Sequence, residues 1–239
     1  MKSKLLGVVF AVLCSGPAFA TVIIGLPPDP GNGNCFPFGC SYSGEYQQVY
    51  SASQFSGPIE IGDLEFYNTK YNSSATSMNS GTWTISLSTT SANWNTLSSN
   101  FASNIGANHT VVFSGNLAQP WAFGDTLHID LSTPFFYDPT SGNLLMDVFV
   151  SGASSPGGTI FFDTNGFNGG GFNGNTFLGR VFLLSGVGPV AVNAGYGLVT
   201  GFSTAQSVPE PASLALFASS LGALGLLGWR RKRKAQAVA

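Results

Sequence analysis

Residues 21–207 read as an all-β, two-sheet sandwich of jelly-roll type, and a single C-terminal transmembrane helix follows. Three observations predict this. Apolar residues alternate with polar ones at period two in run after run. Clusters of turn residues, such as Asp138-Pro139-Thr140-Ser141-Gly142-Asn143 and Ser155-Pro156-Gly157-Gly158, bound the runs. Between residues 21 and 207 no amphipathic helix of useful length can be drawn. Regular strands at such spacing, roughly nine or ten of them, are the pattern of a sandwich. No repeat of fixed blade length argues for a propeller.

The elements follow in order. Met1 to Ala20 has the form of a secretory signal peptide: Lys2 and Lys4 at the start, an apolar centre from Leu5 to Leu13, and a small-residue site at Ala18-Phe19-Ala20. Cleavage by signal peptidase before Thr21 is expected. Lipidation at Cys14 is disfavoured, because Leu13 occupies a position that needs a small residue. Processing removes Cys14 and leaves Cys35 and Cys40, an even count in an oxidising compartment. With Pro37 and Gly39 between them they predict a disulfide. So small a ring contributes at most about 2 kcal/mol.

The strands come next. Ile59 and Ile61 alternate, and Leu64 and Phe66 resume after Gly62-Asp63, which reads as a bulge or turn. Trp83, Ile85 and Leu87 alternate with Thr and Ser. Val111 to Phe113 is a short apolar run; Leu127, Ile129 and Leu131 alternate with His128 and Asp130. Leu144 to Val150, Ile160 to Phe162, Val181 to Leu184, Val190 to Val192 and Tyr196 to Phe202 complete the set. Trp94, Leu97, Phe101 and Ile105 have helix-like spacing, so residues 91–105 form a short helix or a wrapped loop. The Gly/Asn-rich stretch 165–179, with Phe167, Phe172 and Phe177, reads as a flexible connection whose phenylalanines cap the edge of the core, with a segment that sticks to itself or to a partner as the alternative.

Charge separates the two parts of the chain. Residues 21–207 hold only Lys70 and Arg180 against ten carboxylates, a formal charge of −8. Such a domain is a poor partner for nucleic acid. A neutral glycan is an easier partner than an anionic one, which needs bridging divalent cations.

No catalytic set assembles, and no cofactor is expected. Neither His109 nor His128 belongs to a metal-spaced pair, and there is no Gly-x-Ser-x-Gly elbow or phosphate loop. Glu60 and Glu65 read as solvated strand residues rather than paired acids. Asp163, Asn165 and Asn168 offer oxygens for a weak Ca²⁺ site, but turn formation is the better account of them. Trp94 and Trp121 lie in turn-like contexts and are the candidates for a flat glycan-binding platform, although packing is the expected role of each. The chain is therefore not expected to be an enzyme. A glycan-binding module is the alternative, and a secreted hydrolase a further one.

The last segment, 208–239, reads as a sorting tail. Val208-Pro209-Glu210-Pro211 is followed by an uncharged run of 18 residues from Ala212 to Trp229. As a helix this run rises roughly 27 Å, close to the thickness of a hydrocarbon core. Arg230, Arg231, Lys232, Arg233 and Lys234 then hold the C-terminus in the cytoplasm. The two prolines keep the motif extended just outside the bilayer.

This tripartite tail, over about residues 208–234, resembles the PEP-CTERM sorting signal of Gram-negative bacteria. The resemblance implies recognition by an exosortase, a membrane protease or transpeptidase that cuts at or near Pro209-Glu210-Pro211. It implies an exported protein, held at the inner membrane before processing and placed at the cell surface or outside afterwards. It also implies company with exopolysaccharide and biofilm matrix. A non-enzymatic extracellular structural protein is the resulting expectation.

Overall fold

The computed structural model describes residues 21–204, apart from 156, 169–170, 173 and 184–189. The expected signal peptide and the whole sorting tail lie outside the described residues. Among the described residues no helix is long and apolar enough to cross a membrane.

In chain order the strands are β1 (Val22–Ile24), β2 (Gly33–Asn34), β3 (Gly44–Tyr50), β4 (Ile59–Tyr67), β5 (Ser80–Thr90), β6 (Thr110–Gly115), β7 (Thr126–Tyr137) and β8 (Asn143–Ser154). They continue with β9 (Phe162–Asn165), β10 (Phe167–Asn168), β11 (Gly171–Phe172), β12 (Leu178–Leu183), β13 (Val190–Ala194), β14 (Gly197–Leu198) and β15 (Thr200–Thr204). The molecule is all-β, as the alternation predicts, but these strands fall into four sheets rather than two. A four-stranded sheet runs β1-β15-β4-β7 and a six-stranded one β13-β12-β3-β8-β5-β6. A three-stranded sheet, β14-β9-β2, and the hairpin β10-β11 are the smaller pair.

The two large sheets share one core. From the first come Ile61, Leu64, Phe66, Leu127 and Ile129; from the second Trp83, Ile85, Leu87, Met146 and Val148. Alternation along each strand sends these side chains inward and their neighbours to solvent. Every pairing within the two sheets is antiparallel.

Strand β3 is not legible from alternation, and the reason is physical. Tyr46, Gln48 and Tyr50 face the core, while Gln47 and Val49 are buried on the opposite face. That second face is covered by residues 91–105, which form a wrapped loop with one 3-10 turn at Phe101–Asn104. Leu97 packs with Val49, Leu145 and Val181, and Phe101 and Ile105 lean on the same cluster. Asn104 Nδ2 donates to Gln47 Oε1 at 2.9 Å, and Gln47 Nε2 donates to the Phe101 carbonyl at 3.2 Å. Two glutamines survive in a doubly covered strand because each is hydrogen-bonded. Gln48 Nε2 donates to the Leu198 carbonyl at 2.9 Å and Gln48 Oε1 accepts from Leu198 N at 2.8 Å.

The Cys35–Cys40 disulfide is formed, with the Cα atoms 5.2 Å apart. Its ring drives Phe38 fully into the core, 4.6 Å from Phe66 between ring centroids and 6.1 Å from Phe162. Gly39 lies so close to the Ile160 carbonyl that a Cβ there would collide with it. The Pro37 carbonyl accepts from the buried Trp83 indole at 3.2 Å. The loop is thus a plug that fills the sandwich and satisfies the largest core side chain.

Candidate functional site

Two clusters of ionisable groups stand on the solvent faces of the two large sheets. The first is made by the bulge in β4. Against β15, Ser203 pairs with Asp63 and Thr204 with Ile61, so one extra residue, Gly62, sits in β4; the register against β7 shifts at the same place. That shift turns Asp63 outward, on the same face as Glu65, while Ile61, Leu64 and Phe66 stay inside. His128 of β7 lies directly opposite Glu65, and Asp130 opposite Asp63.

Asp63, Glu65 and His128 present ligand-type atoms that all lie within 4.8 Å of one another. His128 Nδ1 is 3.0 Å from Asp63 Oδ2. The Tyr67 hydroxyl donates to Glu65 Oε2 at 2.7 Å, and the Ser203 hydroxyl donates to Glu65 Oε1. Asp63 Oδ1 is buried and has no hydrogen-bond partner. Burial raises the Asp63 carboxyl above the ordinary aspartate range, with Glu65 and Asp130 pushing the same way and His128 pulling it back.

The second cluster lies on the outer face of the six-stranded sheet. Glu45 of β3 stands diagonal to Asp147 of β8, which pairs with Gln47. Burial, then the charge of Asp147 and a hydrogen bond with it, push Glu45 up to about 7. Asp147 is also raised by burial, against the lowering effect of its hydrogen bond from Gln47 and of His109. His109 Nε2 is 3.7 Å from Asp147 Oδ2. Beside the pair runs a shallow groove of about 510 Å³, lined by Ser43, Glu45, Phe101, Phe149, Val150 and Leu183. Phe149 is 55% exposed there. Two acids joined by a hydrogen bond share a proton.

Trp121 packs rather than standing out as a platform: it is only 5% exposed, its ring centroid 5.6 Å from that of Phe162. The turn around it is pulled inward by pairing: Met78 N donates to the Gln119 carbonyl at 2.7 Å and Trp121 N to the Thr76 carbonyl at 2.9 Å. Trp94 is half-buried, and its carbonyl abuts Gly179 of β12. The two tryptophans therefore form no common surface, and a glycan platform would rest on Trp94 alone.

Asp163 sits in strand β9 rather than in a turn. It is 2% exposed, and its two oxygens accept from Thr69 N at 3.0 Å and Thr69 Oγ1 at 2.6 Å. Asn165 Nδ2 donates to the Pro27 carbonyl at 2.8 Å, and Asn168 lies in β10. Asp163 and Asn165 thus tie strand β9 to the segments around Thr69 and Pro27. Glu60 is exposed and Glu65 half-buried; the partners of Glu65 are Tyr67 and Ser203, not Glu60. The Asp63–Glu65–His128 cluster was missed because it is assembled across strands. The one sequence signal was that Asp63 and Glu65 alternate with the buried Leu64 and Phe66, which puts both acids on the outer face after the Gly62 bulge.

Residues 207–233 match the PEP-CTERM protein-sorting motif. The match covers the expected Pro-Glu-Pro triplet, the apolar run and most of the basic stop. The motif implies processing by an exosortase-type membrane enzyme and delivery to the cell surface. No curated protein and no solved structure matches the chain.

Proposed function

We propose that the β domain is a non-enzymatic structural component of the extracellular or exopolysaccharide matrix. Signal peptidase and an exosortase-type enzyme would deliver it there. The observation that carries this reading is the sorting motif at 207–233 behind an export-type leader. In this reading Ala212–Trp229 holds the precursor in the inner membrane until the chain is cut near Pro209-Glu210-Pro211, and the basic residues 230–234 stay in the cytoplasm.

The character of the domain supports a matrix role. Its charged residues are few and nearly all acidic. Of its two cations, Arg180 is buried, 4.6 Å from the Phe182 ring centroid and 4.4 Å from that of Tyr196, so Lys70 is left as the exposed one. An acidic, hydroxyl- and amide-rich surface stays soluble by repulsion and associates with neutral polymers, or with anionic ones through divalent cations.

Replacing Pro209, Glu210 and Pro211 together by alanine tests the delivery. The expected result is an uncleaved, membrane-bound form of the protein in the producing cell. Unchanged processing and release would sink the proposal.

A further inference from the structure

We propose that the outward face of the four-stranded sheet holds a first-row divalent cation, zinc fitting best, between Asp63, Glu65 and His128. The site is separate from the sorting tail and does not depend on the matrix role. Its three ligand groups already converge to within 4.8 Å. Around a tetrahedral zinc, ligand atoms at roughly 2.0–2.2 Å from the metal lie a little over 3 Å apart. Small side-chain rotations close the difference.

The ligand chemistry selects the metal class. Two carboxylates alone would suit calcium or magnesium, but an imidazole nitrogen favours a borderline first-row ion. His128 is largely exposed, its side chain retaining 57% of its accessible surface. The solvent side therefore has room for water or a further ligand to complete the coordination.

Three features mark a prepared site rather than a chance meeting of acids. Glu65 is oriented by two hydroxyl donors, Tyr67 and Ser203, which leaves a lone pair on each oxygen for a metal. Gly201 of β15 lies opposite Glu65, and a Cβ there would collide with the Tyr67 hydroxyl, so the glycine keeps the phenol on the carboxylate. Asp63 carries a buried oxygen without any partner, in a place where the other named charges are Glu65, Asp130 and the imidazole. A bound cation would supply the missing partner and relieve the repulsion among the three acids.

Isothermal titration of the tail-bearing precursor, without its leader and in detergent, first stripped with a chelator, tests this with ZnCl₂ and CaCl₂ as probes. The expected result is one zinc per chain, bound more tightly than calcium. His128→Gln and Asp63→Asn should each weaken zinc by at least about tenfold, and Tyr67→Phe by a smaller factor. His109→Gln, which alters the other histidine, should leave zinc binding unchanged. If a ligand variant fails to fold by circular dichroism, Glu65→Gln carries the test, because the amide oxygen keeps one hydroxyl bond and the side-chain shape. Absence of zinc binding at millimolar metal, calcium bound as tightly as zinc, or loss of binding in His109→Gln would each overturn the proposal.

Discussion

At the scale of single residues, Glu45 is the group with the clearest consequence. Its carboxyl is held near 7 by burial and by Asp147, against an ordinary value near 4.5. Folding therefore tightens its grip on a proton. The stabilisation from that proton is fully present below about pH 4 and is lost as pH rises through about 7. Glu45→Gln mimics the protonated form, so its stability should fall less between pH 5 and pH 8. At pH 8 the variant should be the more stable, by on the order of 1 kcal/mol once solvent screening of this half-exposed group is allowed for. Urea unfolding at the two pH values measures it. An unchanged pH slope would mean that Asp147, still facing Gln47 and His109, governs the titration alone. Residue chemistry of this kind was hidden in the sequence: Glu45-Tyr46-Gln47-Gln48 shows no apolar alternation, and nothing local shows that residues 91–105 will cover that face.

At the scale of elements, the runs with clean alternation were legible and the others were not. Leu127-His128-Ile129-Asp130-Leu131 reads as a half-buried strand because one face meets the core and the other meets water. The bulge at Gly62-Asp63 was legible too, since glycine and aspartate interrupt an otherwise continuous period. Strand β3 hides its burial because both faces are covered, and β2, β10, β11 and β14, at two residues each, are too short for any period. The local context of Trp121, with Pro120 and polar neighbours, looks like a surface turn, whereas long-range pairing folds that turn over Phe162. The disulfide ring was legible from spacing, but not its cargo. Cys35→Ser with Cys40→Ser should cost about 2 kcal/mol by the loop-closure account. The loss should be larger if Phe38 leaves its place against Phe66, since emptying a phenylalanine site costs about 3–5 kcal/mol. Thermal unfolding of the variant beside Phe38→Ala separates the two. Equal stability with and without the disulfide would show that Pro37, Gly39 and the Ile160 contact hold the plug unaided.

At the scale of the whole molecule, the chain divides by charge and by purpose. The β domain is acidic and built for a watery exterior, while the cations gather in the tail behind an uncharged run of 18 residues. The placement of the metal-type cluster fits that division. It stands on an outer sheet face, clear of the aromatic core, where a bound ion changes the surface without disturbing the packing. Such clusters arise from register, and register is what a linear pattern conveys least: Glu65 and His128 are cross-strand neighbours although 63 positions separate them. The sorting signal is the reverse case. Its meaning is carried by linear order alone, so the motif was readable from the sequence.

The most direct test of delivery is the intact mass of the protein recovered from the surface or medium of the producing cell. The account predicts a chain that begins at Thr21 and ends within a few residues of Pro209-Glu210-Pro211, without Trp229 or the basic cluster. A surface protein that still carries residues 212–239 would contradict it.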